Sequence, residues 1–173
     1  MKLLLLTTLP NQVYNRLRSL DFLDLDIIDF SQVEITKSRF LTMLLDTVQK
    51  KHYTMMLTYR CPYVILREIR EKVDCCVNIH PVSLPEFAGV NPWEKLKRSG
   101  QRHSEVILHF MEEIPDSGKV LCSRPYNFDN IEEGRRTADI VASELIREFF
   151  MQYKPQAHKP KIRKQSQWQS QWQ

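Results

Sequence analysis

Short apolar runs alternate with helical stripes along the first half of this 173-residue chain, and no other feature restricts the fold as strongly. Four runs have the length and composition of buried strands: 2–7, 24–29, 53–59 and 75–79. Between the second and third runs, apolar residues recur at the spacing of one helix face: Leu41, Leu44, Leu45 and Val48. This alternation predicts a parallel α/β sheet.

Turn and cap signals predict further helices. One helix begins near Asn11, and another covers 62–72, because a proline suits the first turn of a helix. Asn91 precedes a proline and predicts a helix start with a capping side chain. Asn130 and Glu133 have capping-box spacing and precede a final helical stripe.

Three polar side chains lie near the ends of predicted strands. Asn78 and His80 come at the carboxyl end of the fourth run, where open α/β sheets bind ligands. Two later strands flank a loop that returns Asp116 to the sheet end. Acyl transfer needs these groups: an amide N–H for the oxyanion, an imidazole that moves protons, and a carboxylate that orients the ring. This chemistry requires no metal.

The chain carries N-I-H-P-V-S-L-P-E-F-A-G and, after a strand, I-P-D-S-G-K-V-L. These segments resemble the catalytic segment of the folate-dependent formyltransferases, which include the glycinamide ribonucleotide, methionyl-tRNA and nucleotide-sugar N-formyltransferases. Every fixed position of the shared pattern is present: Asn78, His80, Pro81, Leu84, Pro85, Phe87, Gly89, Asp116 and Gly118. The resemblance implies a Rossmann-like α/β catalytic domain over 1–150. Its sheet would be mostly parallel with antiparallel C-terminal strands, and helices would cover both faces.

The resemblance also implies an activity. The chain would move a formyl group from 10-formyltetrahydrofolate to a primary amine, for which an amino-sugar nucleotide is one candidate. Asn78, His80 and Asp116 would be catalytic, stabilising the tetrahedral intermediate and shuttling protons. The folate would lie against a second set of residues: Tyr59, Arg60, Cys61, Glu113 and Ile114.

Departures from the family pattern bear on the acceptor. The amino half is shorter than in family members, and the loop 7–12 lacks glycines that would let backbone amides cradle a ribonucleotide phosphate. The segment 57–62 lacks the glycine usual beside the pterin, and Ser104-Glu105 replaces the usual Thr-Gly pair. The segment 89–92 is most similar to the methionyl-tRNA branch, although the chain stops before the second domain of that branch.

Two alternative functions stay open. The first is a formyltetrahydrofolate hydrolase or a catalytically diverged folate-binding protein, and the second is a non-enzymatic interaction protein on the same scaffold. His103 and His109 are rival histidines, and we rank His109 as a supporting residue of the site. Lys95, Lys97 and Arg98 form a solvated basic face that could meet an anionic substrate.

The sequence gives less direct evidence on the cellular compartment and the oligomeric state. The four cysteines show no paired spacing, which favours reduced thiols over a disulfide frame or a metal site. The apolar run 3–6 is too short for a signal peptide, and no other run approaches a membrane span. We therefore predict a cytoplasmic protein. A homodimer is one option for its unknown oligomeric state.

The segment 151–173 differs in composition from the rest. It holds five basic residues and no acidic one, and it ends in the tandem repeat S-Q-W-Q. Such a segment buries too little apolar area to order itself, so we predict a disordered tail. Binding of nucleic acid through phosphate contacts and base stacking is a less favoured hypothesis. It predicts a salt-dependent electrophoretic shift.

Overall fold

The computed structural model describes residues 1–31 and 35–152, and its elements follow the predicted alternation. The elements in chain order are β1 (Lys2–Thr7), α1 (Pro10–Leu17), β2 (Asp24–Asp29), α2 (Lys37–Lys50), β3 (Met55–Tyr59), α3 (Arg67–Arg70), β4 (Cys76–His80), α4 (Pro92–Ser99), β5 (His103–Phe110), β6 (Val120–Asn127) and α5 (Ile131–Gln152). Apart from its first two residues, the predicted disordered tail lies outside the described residues. Among the described helices, none has the length and apolar character needed to span a membrane.

The strands form one sheet in the order β2-β1-β3-β4-β5-β6. β1 is parallel to both of its neighbours, with Leu4 in register with Asp26 of β2 and Met56 of β3. β5 and β6 are antiparallel. The prediction of a mostly parallel sheet with antiparallel C-terminal strands is confirmed.

The described chain divides into two compact units. The first comprises 1–10 and 20–77, and the second comprises 11–19 and 78–152. In the first unit, the apolar residues of β1 and β3 are buried. The α2 helix is confirmed, and of its predicted stripe Leu44 and Val48 are buried while Leu41 and Leu45 are half-buried. Phe40, outside the predicted stripe, is also buried and lies four residues before Leu44 on the same helix face.

The second unit is built on β5, β6 and α5. β5 is buried from Val106 to Phe110, and α5 buries a stripe of apolar residues that includes Ala138 and Leu145. The predicted cap of α5 is confirmed, since Asn130 Oδ1 accepts a hydrogen bond from the Glu133 amide at 3.0 Å. This cap satisfies one of the amides that a helix start leaves unpaired.

Two local predictions are wrong. The helix predicted over 62–72 is only the single turn of α3, because tertiary contacts hold the preceding segment. Tyr63 donates its hydroxyl to the Ile35 carbonyl at 2.6 Å, and its ring centroid lies 5.3 Å from that of Phe40. Asn91 precedes α4 without a side-chain capping bond, because its backbone is left-handed with φ 55°. A capping side chain requires extended backbone at that position.

Candidate active site

β4 places Asn78 and His80 on one face of the sheet, because side chains two residues apart on a strand point the same way. Val77 and Ile79 point to the opposite face and are buried. His80 is the last residue of the strand and is 5% exposed. The strand alternation therefore delivers an amide and an imidazole side by side in the second unit.

Backbone carbonyls fix the tautomer of two histidines. His80 Nδ1 lies 2.8 Å from the Val82 carbonyl oxygen. His109 Nδ1 lies 2.8 Å from the Phe110 carbonyl oxygen. A carbonyl oxygen can only accept, so each Nδ1 carries a proton. In the neutral rings, each Nε2 atom is therefore an acceptor.

His109 contacts Asn78 directly. Its Nε2 atom accepts a hydrogen bond from Asn78 Nδ2 at 3.1 Å. The pairing of β5 with β6 shifts register at His109, and bulges of this kind re-aim side chains. Burial lowers the pKa of His109 and His80 acts in the same direction, whereas the Phe110 carbonyl and Asp116 oppose them. His109 is therefore neutral at pH 7 and orients the Asn78 amide.

Asp116 lies between the two imidazoles. Its Oδ2 atom is 3.6 Å from His80 Nε2, and its Oδ1 atom is 3.6 Å from His109 Nε2. The separation from His80 suits an ion pair when His80 is protonated, whereas neutral His109 forms none, and both separations exceed the length of a direct hydrogen bond. The carboxylate is 13% exposed. The structure thus brings Asp116 and His80 together, as the sequence predicts, without a direct hydrogen bond between them.

The loop that carries Asp116 is fixed by close backbone packing. Asp116 has φ 61°, a left-handed conformation that aspartate tolerates better than most residues. Ser117 donates its hydroxyl to the Ile114 carbonyl at 2.8 Å. Gly118 lies against the end of β5, where a Cβ atom would be 1.9 Å from the Phe110 carbonyl oxygen. Only glycine permits this approach.

The loop after His80 is tied to β5 and β6 by hydroxyl groups. Ser104 Oγ accepts a hydrogen bond from the Ser83 amide at 2.9 Å, and Ser83 Oγ accepts one from the Glu105 amide at 3.1 Å. Tyr126 donates its hydroxyl to the Pro81 carbonyl at 2.9 Å. These bonds hold the segment that supplies the carbonyl partner of the His80 ring.

The predicted folate-contact residues fall in both units. In the first unit, Tyr59 is fully buried, Arg60 is exposed with φ 54°, and Cys61 is half-buried. Burial raises the pKa of the Cys61 thiol to about 11. In the second unit, Glu113 and Ile114 are exposed in the loop of Asp116. Because Tyr59 is fully buried, it presents no accessible surface to a ligand.

His109 is the residue whose place in the site the sequence understates. Strand alternation predicts which face of the sheet carries the His109 side chain. It does not predict the residue that His109 contacts there, because that depends on which strand lies beside β5. Two of the three predicted catalytic residues, Asn78 and Asp116, both contact it. The sequence did offer one indication that His109 belongs to the site: it lies near the end of a strand that is followed by an Asp-Ser-Gly turn.

The cluster can polarise a carbonyl group and move a proton. An imidazolium at His80 would form an ion pair with Asp116, and an amide held by His109 would donate a hydrogen bond from a fixed position. Within the described residues, no group of three His, Cys, Asp or Glu side chains is arranged to hold a metal ion. The lone pair of His109 Nε2 is already used by the Asn78 amide.

Comparison with known proteins gives a family match. A family model described as formyl transferase matches residues 27–138, which is more than half of the chain. Over 71 residues, the chain is 31% identical to the methionyl-tRNA formyltransferase of Thermotoga neapolitana; the match covers 41% of this chain and 21% of that protein. The chain thus spans about a fifth of the length of this relative.

Solved structures share the fold. The phosphoribosylglycinamide formyltransferase of Bacillus halodurans aligns with a TM-score of 0.72 and 14% identity, over 91% of this chain and 97% of that chain. The formyltransferase PseJ of Anoxybacillus kamchatkensis, in complex with UDP-4,6-dideoxy-4-formamido-L-AltNAc and tetrahydrofolate, aligns with a TM-score of 0.65 and 18% identity. That alignment covers 87% of this chain and 75% of PseJ. The Rossmann-like fold expected from the sequence is confirmed.

Proposed function

Because the chain belongs to the formyl transferase family, we propose that it moves a formyl group from 10-formyltetrahydrofolate to a primary amine. One observation carries the proposal: Asn78, His80 and Asp116 lie in one cluster, with Asp116 3.6 Å from His80. The donor supplies an activated formyl carbonyl when bound. The side chains present fit that chemistry, since the cluster combines an amide N–H, an imidazole and a carboxylate.

Each residue has a distinct role. Asn78 Nδ2 donates a hydrogen bond to His109, which orients the amide that we assign as a donor to the developing oxyanion. In its cationic form, His80 gives its Nε2 proton to the leaving nitrogen as the old C–N bond breaks, and it takes up the proton that the incoming amine loses as the new C–N bond forms. Asp116 holds the cationic form of His80 in place. Buried His80 and His109 limit the access of water to these groups.

We propose an amino-sugar nucleotide as the acceptor. The loop after β1 is poorly suited to a ribonucleotide phosphate, because the Leu9 amide donates to Thr7 Oγ at 3.0 Å. The next residue is Pro10, which has no amide hydrogen. Fewer backbone N–H groups are therefore available to bind a phosphate at the start of α1. The sugar nucleotide bound to the structural neighbour PseJ is consistent with this class of acceptor.

The predicted folate contacts remain part of the proposal. Arg60 and Cys61 in the first unit, and Glu113 and Ile114 in the second, are each proposed to contact the donor, whereas fully buried Tyr59 would support the backbone beside Arg60. A transferase of this kind would act in the cytoplasm, in keeping with free thiols at all four cysteines.

The test is release of tetrahydrofolate from 10-formyltetrahydrofolate, with and without a panel of amino-sugar nucleotides and methionyl-tRNA. We expect acceptor-dependent turnover, and we expect Asn78→Ala to lower kcat by about 10²- to 10³-fold because one oxyanion donor is lost. His80→Ala should abolish proton transfer. His103→Ala and Asn127→Ala are matched controls, since both residues are exposed on neighbouring strands.

The outcomes separate the candidate functions. Turnover without any acceptor would identify a hydrolase in place of a transferase. An Asn78→Ala variant as fast as the wild type would remove Asn78 from the catalytic machinery. Failure of 10-formyltetrahydrofolate to protect the chain against thermal unfolding would exclude a folate-dependent enzyme.

A further inference from the structure

One peptide group joins a lysine to the candidate catalytic aspartate. Lys95 donates its ammonium group to the Ala88 carbonyl. The Gly89 amide donates to Asp116 Oδ2 at 2.8 Å. The Ala88 carbonyl and the Gly89 N–H belong to the same planar peptide unit, in which the two dipolar ends point in opposite directions. A positive charge therefore sits at one end of a peptide whose other end contacts the carboxylate.

This contact determines how the carboxylate is presented. The oxygen that accepts the Gly89 hydrogen bond is also the oxygen that lies 3.6 Å from His80 Nε2. The other oxygen faces His109. Fixing Oδ2 on the Gly89 amide thus assigns each carboxylate oxygen to one histidine. Rotation of the carboxylate would lose that assignment.

The helix that carries Lys95 is itself anchored. The neighbouring Leu96 is fully buried, and the Arg135 guanidinium of α5 stacks on the Trp93 ring at 5.2 Å from its centroid. Lys95 is exposed but reaches back over Gly89, where a Cβ atom would lie 3.8 Å from its Nζ atom. Gly89 adopts φ 81°, which suits glycine and turns its amide toward Asp116.

We propose that Lys95 is a positioning residue for the transfer reaction, acting on Asp116 through the Ala88–Gly89 peptide. The ammonium group polarises that peptide, and hydrogen bonds in series strengthen one another. The Gly89 amide becomes a better donor and holds Asp116 Oδ2 toward His80. This role rests on the proposed formyl transfer. It differs from a solvated basic face or an anion contact, the two roles that the sequence suggests for Lys95.

The test compares Lys95→Met, which keeps the length of the side chain and removes the charge, with Lys72→Met, which removes the charge of an exposed lysine in the first unit. We expect Lys95→Met to lower kcat for formyl transfer about tenfold, the size expected when a charge-assisted hydrogen bond at an exposed group is lost. The KM values for donor and acceptor should not change. Lys95→Arg should recover most of kcat, because it keeps a cation. Lys72→Met should match the wild type.

A second readout does not depend on activity. The Gly89 amide resonance in a ¹H–¹⁵N spectrum reports the strength of its hydrogen bond to Asp116. We expect it to move in Lys95→Met and to stay in place in Lys72→Met. A lower kcat with an unmoved Gly89 resonance would overturn the relay through the peptide. An increase in acceptor KM alone would overturn it in favour of an anion contact.

The two readouts also separate this inference from the proposed function. If the wild type transfers no formyl group to any acceptor, the proposed function fails, and the Gly89 resonance still decides whether Lys95 acts on Asp116. If neither kcat nor the Gly89 resonance changes in Lys95→Met, the inference fails while formyl transfer stands.

Discussion

At the scale of single residues, close packing at Gly118 places Asp116. The Cα atom of Gly118 is so near the Phe110 carbonyl that no side chain fits. The sequence identifies Asn78, His80 and Asp116 by type and frame, and it marks Gly118 as a fixed position. The contact with Phe110 is absent from any local pattern, because it joins the two ends of the loop 110–118. The sequence was therefore enough to single out Gly118 as a fixed position, whereas the structure was needed to show that its contact with Phe110 requires glycine.

Gly118→Ala should shift the loop and move Asp116 away from His80. We expect a loss of about 1–3 kcal/mol in the free energy of unfolding, as for overpacking, together with a lower kcat. Gly100→Ala is the matched control, because Gly100 has φ 74° but open space around its Cα. It should cost about 1 kcal/mol through strain and leave kcat unchanged. Urea unfolding and tetrahydrofolate release measure the two effects. Equal kcat values for both variants would contradict the account of the Asp116 loop.

At the scale of helices and strands, periodic patterns predicted most of the sheet and failed where tertiary contacts dominate. β1, β2 and α2 follow from apolar periodicity alone. The missing helical turns before α3 are explained by Tyr63, whose hydroxyl and ring are held by contacts remote in sequence. The contact of Asn78 with His109 depends on which strands are neighbours, and strand order is not encoded locally. Intrinsic helix propensity predicts local structure poorly where tertiary contacts favour another conformation.

The junction between β4 and β5 yields a second prediction. Ser104→Ala would remove the acceptor for the Ser83 amide and loosen the loop that supplies the carbonyl partner of His80. We expect the free energy of unfolding to fall by about 1–3 kcal/mol, the cost of leaving a largely buried polar group unpaired, with a several-fold lower kcat. Ser104→Thr keeps the hydroxyl and should restore both.

The exposed Ser123 of β6 provides the matched control. Ser123→Ala should change stability by less than about 0.5 kcal/mol. A Ser104→Ala variant with the same unfolding curve as Ser123→Ala would show that the hydroxyl bonds contribute nothing to the loop.

At the scale of the whole chain, residues 1–150 are expected to behave as one domain although the structure has two compact units. The cysteines can test this, because Cys76 belongs to the first unit and Cys122 to the second. Burial raises the pKa of the Cys76 thiol to about 12 and that of Cys122 to about 11. Folded thiols are therefore protonated and slow to react at pH 8.

We expect both thiols to become reactive at the same urea concentration when labelling is followed by mass spectrometry. Reaction of one at a lower concentration would mean that the units unfold separately. The raised thiol pKa values also set a pH dependence. Their contribution to stability is complete below the unfolded pKa of about 8.5 and is lost as pH rises toward the folded values. The urea concentration at the midpoint of unfolding should therefore decrease as the pH is raised from 8 to 10.

The acidic composition of β2 bears on self-association. β2 is an edge strand of the described sheet, and three of its six residues are aspartates: Asp24, Asp26 and Asp29. If two copies joined their sheets through this edge, the aspartates of the two copies would approach each other; Lys2 and Lys51 offset Asp24 and Asp26, and the remaining like charge opposes pairing. The opposite edge, β6, contains Pro125, which has no amide hydrogen to contribute to a new ladder. Both ends of the sheet thus disfavour extension, and we expect a dimer of this chain to form through a surface other than its strand edges.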